Sequence, residues 1–415
     1  MIKILYISYD GMTDSLGQSQ VMPYLSGLSQ LKDNNGNYLY QFYLISCEKK
    51  SFYSKEFHET QIQLSNSNIQ WLPLSYTSKP PVLSTIWDII KLIRTAKIIH
   101  KKEKIQIVHC RSYIAAHIGL FLKKKFNISF IFDMRGFYAD ERIEGGLWNI
   151  KNPLYNCIYR YFKKKEKQFL SNADYTISLT ENAKNEILSW PISIKNIPIK
   201  VIPCCADLDL FNKNKITDTE RKACFSKLRI PQDKLILSYL GSIGTWYLLD
   251  EMLDFFYVLK EQIKDAKFLF ITPDKPETII NKAIAKNIPA EDIIIQKASR
   301  QEVPILLSIS TVSLFFIKPV YSKKASSPTK MGEIMGMGIP IICNKNIGDI
   351  DTIMNNKSGI FLLSDFNITE YERISSTIST LIKTPSQEIR EMADTYFSLK
   401  NGIEKYKEVY DYLTK

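Results

Sequence analysis

Residues 324–340 read Lys-Ala-Ser-Ser-Pro-Thr-Lys-Met-Gly-Glu-Ile-Met-Gly-Met-Gly-Ile-Pro, and the rest of the chain is arranged around them. Small residues before a proline, followed by apolar spacing, mark a helix start. The pattern predicts Ser327 as N-cap and Pro328 as the first helical residue. Gly336 and Gly338 end that helix, and 339–343 reads as a buried strand. Thr329 and Lys330 stand four and three residues before Glu333, so the three share a face near the helix start. Backbone N–H groups there, a hydroxyl and an ammonium suit a phosphate. A carboxylate one turn further in suits sugar hydroxyls. A plain capped helix packed on a sheet would use the same pattern.

Working outward, the chain has 415 residues, too many for one ordinary core and about right for two domains. It is 45% hydrophobic and 24% charged, a globular composition. No apolar run approaches the roughly 18 residues of a membrane span. The first residues enter a strand at once and carry no signal-peptide cleavage pattern, so a cytoplasmic protein is expected. Seven scattered cysteines without a Cys-x-x-Cys pair, and adjacent Cys204 and Cys205, suggest reduced thiols. Four histidines argue against a histidine-rich metal site.

The formal net charge is +12, with lysine runs at 101–102, 123–125 and 163–165. The basic-aromatic modules of a nucleic-acid binder are missing, and no nucleic-acid partner is expected. The runs fit solvated helix faces. They also fit attraction to an anionic membrane, at the inner face of which a lipid-linked substrate would sit. Phosphate-rich ligands would gain from the same field.

From the N-terminus, 3–9 is an apolar strand, followed by the loop Asp-Gly-Met-Thr-Asp-Ser-Leu-Gly-Gln-Ser-Gln (10–20) and a helix over 21–31. Strand, glycine-bearing loop and helix open a doubly wound α/β domain. The loop lacks the Gly-x-Gly-x-x-Gly dinucleotide pattern. Gly17 either admits a ligand close to the backbone or is an ordinary turn glycine. Strands follow at 40–46, 69–74, 105–109 and 128–132, with helices over 84–102 and 115–124. Ligands bind outside the carboxyl ends of such strands. Two of these strands therefore deliver His109, Arg111, Asp133 and Arg135 to one rim. Asp140-Glu-Arg142 reads as a surface salt-bridge loop. A basic, aromatic helix over 153–171 covers the sheet or docks on a membrane. After a strand at 173–179, Thr180 reads as the N-cap of the next helix.

A polar segment, 212–220, separates the halves. Three parts are expected: 1–203, 204–395, and a terminal segment, 396–415, crossing back to the first. In the second half, strand 235–240 ends in Gly241-Ser242-Ile-Gly244, a turn that again suits a phosphate. Strand 267–272 ends at Thr272. Further strands at 292–296, 312–317 and 359–363 continue the alternation.

Several stretches, in order and spanning nearly the whole chain, resemble retaining glycosyltransferases of family 4. They are Ser-Ser-Pro-Thr-Lys-Met-Gly-Glu (326–333), Gly-Ser-Ile-Gly-Thr-Trp-Tyr (241–247), Asp-Met-Arg-Gly (133–136), the loop 10–20 and Ile-Pro-Cys-Cys-Ala-Asp (202–207). The resemblance implies a GT-B fold: α/β, with two Rossmann-like doubly wound parallel-sheet domains facing a cleft. It implies retaining transfer of a sugar from a nucleotide-sugar donor to a hydroxyl acceptor. The acceptor would be a glycan or a lipid-linked molecule, in surface polysaccharide or lipid-linked oligosaccharide synthesis.

By position, Glu333 matches the second Glu of the family's Glu-x7-Glu and would bind the donor ribose. Thr329 and Lys330 would lie at the diphosphate, faced by Gly241 and Ser242. Gly17, Thr272 and Ser327 complete the expected donor set. His109 and Arg111 stand near the expected acceptor and transferred sugar, and Asp133 and Arg135 are grouped with them as the catalytic set. The first Glu of the motif falls at Ala325, and the usual Arg and Lys after the glycine turn are missing. Lys330, Lys318, Lys324 or Arg135 would replace those cations. No Asp-x-Asp spacing is assigned as a metal motif, so no metal and no cofactor is expected. A nucleotide-sugar 2-epimerase, a non-catalytic nucleotide-sugar binding subunit and a structural membrane-surface protein are the alternatives.

Overall fold

The computed structural model describes residues 1–52, 54–191, 197–354, 357 and 359–414. The chain divides into two compact units: Met1–Pro203 with Leu399–Lys415, and Cys204–Ser398.

The first unit holds β1 (Ile2–Ser8), β2 (Tyr40–Glu48), β3 (Ile69–Ser75), β4 (Ile107–Arg111), β5 (Ser129–Asp133), β6 (Tyr175–Ser178) and β7 (Ile199–Val201). They form one parallel sheet in the order β3-β2-β1-β4-β5-β6-β7. The second unit holds β8 (Ile236–Leu240), β9 (Lys267–Ile271), β10 (Ile293–Gln296), β11 (Val312–Phe315), β12 (Ile341–Asn344) and β13 (Ile360–Leu363). Its sheet, also parallel, runs β10-β9-β8-β11-β12-β13. Parallel strands need helical crossovers, which cover both faces, so these strands are apolar throughout rather than alternating. Ile4, Leu5 and Ile7 of β1, and Phe268, Leu269 and Phe270 of β9, have no solvent exposure.

Strand order reverses between β1 and β4 in one sheet and between β8 and β11 in the other. In open α/β sheets the ligand crevice lies outside the strand ends at such a point. The loops after β1 and β4, and after β8 and β11, are therefore the places to search.

Several elements differ from the sequence expectation. The loop 10–20 is partly helical, with short helices Ser15–Gln20 and Met22–Ser29 in place of one helix. Asp140 lies on a helix, Tyr138–Glu144, where it accepts from Tyr159 Oη and Lys163 Nζ, both at 2.9 Å. The polar segment 212–220 contains a helix start: Asp218–Leu228 is closed by a reciprocal Thr217–Glu220 capping box. Helix Lys55–Asn66, capped by Ser54, had no counterpart in the sequence reading. The terminal segment is broken at Ser398 into Ser386–Phe397 and Leu399–Thr414, which fall in different units. Thr180 is the N-cap of Glu181–Ser189, accepting from Ala183 N at 3.1 Å.

Candidate functional site

Each unit carries one cluster of polar groups at its reversal point. In the second unit, β8 ends in Gly241, whose φ of +104° requires a residue without a Cβ penalty. The following turn is stapled to the segment after β11: Leu248 N donates to Phe316 O at 3.0 Å and Lys318 N to Trp246 O at 2.9 Å. This brings Tyr239 and Tyr247 together, ring centroids 5.7 Å apart.

The Thr329–Gly336 helix aims Lys330 at that pair. Its Nζ sits 3.5 Å from the Tyr247 ring centroid and 4.1 Å from that of Tyr239. It also lies beside Gly241, where an added Cβ would stand 3.3 Å away. Lys330 is buried, and its Nζ has no hydrogen-bond partner among the described residues. Burial drives its pKa well below the usual lysine value, against the opposing pull of Glu333 and Asp274. Two aromatic faces compensate part of the lost hydration, but a buried ammonium without an acceptor is an unfilled half of an ion pair.

Asp274 sits at the same turn. Its carboxylate accepts from Ser242 Oγ at 2.8 and 3.0 Å, from Thr272 Oγ1 at 3.1 Å and from Ile243 N. The donors expected to face a phosphate are thus engaged by an anion from the protein itself.

Glu333 accepts from Arg300 Nη1 at 2.8 Å. Ser327 is not the N-cap. The helix begins one residue later with Pro328 at the cap position, no side chain caps it, and Ser327 Oγ accepts from Cys204 N at 3.0 Å. Thr329 is half-buried at the first helical position. Lys318 and Lys324 are exposed. A further buried cation, Lys323, lies 3.6 Å from the Trp246 ring centroid. Ala325, where the missing carboxylate would fall, is buried.

In the first unit, β1, β4 and β5 run in register, so Ser8, Arg111 and Asp133 align, as do Tyr6 and His109. Helix Leu399–Thr414 closes over them. Tyr410 Oη lies 2.8 Å from His109 Nδ1, and Tyr406 Oη donates to Asp133 Oδ2 at 3.3 Å. His109 Nε2 is 3.6 Å from the same carboxylate oxygen, and Arg135 Nη1 is 3.8 Å from Asp133 Oδ1. His109 and Asp133 have no solvent exposure. Burial lowers the His109 pKa against the opposing pull of Asp133. Burial opposes ionisation of Asp133, but Arg135, His109 and Arg111 outweigh it and hold the carboxyl below its usual range.

Of the four residues expected as the catalytic set, His109 and Asp133 are thus fully buried, and Arg135 and Arg111 lie nearest the strand ends. Arg111 Nε donates to Asp10 Oδ2 at 3.3 Å, while its buried Nη1 has no hydrogen-bond partner among the described residues. Both strands end in left-handed residues other than glycine, Ser112 at φ +66° and Arg135 at +59°. Such backbone strain clusters at functional sites.

Gly17 is packed against its own loop. A Cβ there would fall 2.2 Å from Gly11 O and 2.6 Å from Met12 Cα, so the glycine lets the loop fold onto its own helix. The loop is held by Glu48 at the end of β2, a residue the sequence reading missed. This buried carboxylate accepts from Met12 N at 2.7 Å, Thr13 N at 3.1 Å, Thr13 Oγ1 at 2.7 Å and Ser46 Oγ at 2.6 Å. Among the described residues no group of three His, Cys, Asp or Glu could hold a metal ion.

Two family models match in series. The one described as Glycosyltransferase Family 4 covers residues 53–210, and the one described as Glycosyl transferases group 1 covers 220–396. With the two parallel sheets they define the class: the chain is a glycosyltransferase of GT-B fold, similar to family 4. Among solved structures, sucrose-phosphate synthase from Thermosynechococcus elongatus matches with a TM-score of 0.74 at 14% identity, over 100% of this chain and 99% of that one. A glycosyltransferase from Rickettsia africae gives 0.71 at 19% identity, over 100% and 99%. HepE from Anabaena, solved with UDP and glucose, gives 0.70 at 11% identity, over 99% and 100%. A curated relative, cytochrome B pre-mRNA-processing protein 1 of Saccharomyces cerevisiae, is 29% identical over 129 residues, 29% of this chain. The matched region spans only 20% of that yeast protein. No helix among the described residues is long and apolar enough to cross a membrane.

Proposed function

We propose that this chain moves a sugar from a nucleotide-sugar donor to a hydroxyl acceptor with retention at the anomeric carbon. The observation that carries the reading is Lys330, a buried ammonium without an acceptor, at a helix start beside a glycine turn. A donor diphosphate supplies the missing anion. Lys330 then replaces the cations absent after Gly241, and Glu333, steadied by Arg300, meets the ribose hydroxyls. The UDP in the HepE structure supports a nucleoside diphosphate as the ligand class.

In the reaction the bond from the anomeric carbon to the phosphate oxygen breaks, and a bond to the acceptor oxygen forms on the same face. The departing phosphate oxygen takes the acceptor proton. Lys330 stabilises the charge that develops on that phosphate, in a site from which water is excluded. Arg111 and Arg135, held by the His109–Asp133 pair, serve the acceptor side. The acceptor is a glycan or a lipid-linked molecule made for surface polysaccharide or lipid-linked oligosaccharide, at the cytoplasmic side of the membrane. No metal is needed, and EDTA leaves the rate unchanged; loss of transfer restored by Mg²⁺ would reverse that assignment.

The test is a thermal-shift screen against a panel of nucleotide sugars, since a ligand that binds only the native state raises its apparent stability. At least one donor is expected to shift the wild type and to lose its effect in Lys330→Ala and Glu333→Ala. Shifts that survive in both variants place the site elsewhere.

A further inference from the structure

Helix Leu83–Glu103 buries one face through Ser84, Asp88, Leu92, Ala96 and Ile99. Its opposite face is unusual. Leu83, Ile86, Trp87, Ile90, Arg94, Lys97, Ile98 and Lys101 recur at three- and four-residue spacing and fill a single outward stripe. The apolar members are left in water: Leu83 is 63% exposed, Ile86 49%, Trp87 50%, Ile90 37% and Ile98 67%. Apolar residues scattered singly need no explanation, but a stripe of them along one helix marks an interaction surface.

The stripe turns basic toward its end, and its neighbours continue the charge. His100 packs on Phe126, ring centroids 4.8 Å apart, which joins the end of this helix to the lysine-bearing end of helix Ser112–Phe126. His117 of that helix stacks on Tyr161 of helix Pro153–Asn172, which carries Lys164 and Lys165. Partial burial, then Lys124 and Lys164, push the Lys165 ammonium below its usual range, so these three like charges lie close together, while Lys123 is paired with Asp174 at 2.7 Å.

The three helices contain three acids, and each is spent inward. Asp88 is buried against Tyr9 and Thr77, Glu103 is held by Lys3 and Tyr43, and Glu166 is buried against Tyr113 and Lys163.

We propose that this three-helix face lies on an anionic lipid bilayer, with Leu83, Ile86, Trp87 and Ile90 entering the headgroup boundary and Arg94, Lys97, Lys101, Lys124 and Lys125 meeting lipid phosphates. An apolar stripe with an interfacial tryptophan and a basic extension is the composition of a helix lying in the membrane plane. A nucleic acid would use the charges and leave the stripe uncovered. This deepens the lipid-linked-acceptor reading, on which it rests for its purpose; the binding itself needs no turnover.

The test is sedimentation of the full-length protein with phosphatidylcholine vesicles, with phosphatidylcholine–phosphatidylglycerol vesicles, and without lipid. The protein is expected to pellet with the anionic vesicles and to lose at least about tenfold in partitioning at high salt. Ile86→Ser with Trp87→Ser, and separately Lys97→Ser with Lys101→Ser, are expected to weaken binding by a similar factor. Their melting temperature and nucleotide-induced shift should stay as in the wild type, because the changed side chains are outward. Absence of anionic-vesicle binding, or binding indifferent to Ile86 and Trp87, overturns the proposal. So does lipid-free self-association abolished by the same variants, or nucleic acid bound as tightly as vesicles. Vesicle binding without any nucleotide-sugar shift would keep this surface and remove the proposed donor site at Lys330.

Discussion

Lys330 carries an amine that gave up water for two tyrosine faces. Lys330→Met should raise the melting temperature of the ligand-free protein by roughly 2–4 °C, because a buried charge without a counter-ion costs more than a matched apolar chain. The sign of its pH effect follows from a depressed native pKa: the unfolded chain holds that proton up to about 10.5, and the native state releases it earlier. Stability therefore rises as pH climbs from the depressed native pKa to about 10.5 in the wild type, and this contribution vanishes in the methionine variant. Nucleoside diphosphate affinity should fall about 10- to 100-fold in Lys330→Met, the worth of a charge-assisted hydrogen bond. Calorimetric titration with UDP reads that loss. Asp274 gives a second residue-scale prediction. Its carboxylate competes with phosphate for Ser242 Oγ and Ile243 N, so Asp274→Asn should tighten UDP binding by about tenfold. Weaker binding instead would make Asp274 an orienter of the turn rather than a rival of the ligand.

At the scale of elements, the loop after β1 has its shape set from a neighbouring strand. Glu48→Ala strands three donors of that loop together with Ser46, and should cost about 3–5 kcal/mol in urea denaturation. A glycine-to-alanine change at Gly17 should be comparably damaging, since backbone atoms must move. This loop also shows what the sequence could disclose. The strands other than β7, most of the main helices and the turn at Gly241 were legible, because parallel sheets write themselves as apolar runs between punctuating loops. The capping box at Thr217 and Glu220 was legible too, and its polar composition was mistaken for a linker. Glu48, Arg300 and Asp274 were not. Glu48 reaches Met12 across 36 positions of chain, Arg300 reaches Glu333 across 33, and Asp274 reaches Ser242 and Ile243 across 32 and 31, by contacts that only the fold creates. Tyr406 and Tyr410 are further still from the His109 and Asp133 they touch.

For the whole molecule, the two units should answer different perturbations. His100, His109 and His117 all belong to the first unit, and burial lowers each pKa, that of His117 from 6.5 to about 4. The unfolded chain takes up protons near pH 6.5 that the native rings refuse, so stability is held above that value and lost as pH falls toward 4. Urea midpoints measured at pH 7.5 and 5 should show the loss, and His117→Phe should reduce it. If the proposed donor site at Lys330 is correct, UDP should move the calorimetric transition of the Cys204–Ser398 unit alone or move it further than the other.

The break at Ser398 has one more implication, for the order of events during synthesis. The polar hole around His109 is sealed by tyrosines at positions 406 and 410, made only after the entire second unit has been translated. A ribosome therefore exposes a first unit whose buried histidine and aspartate lack their lid. Nascent chains arrested before residue 399 should be more readily cut by protease in the first unit than finished ones, and a truncated product of that kind should be a ward of chaperones rather than a smaller stable protein.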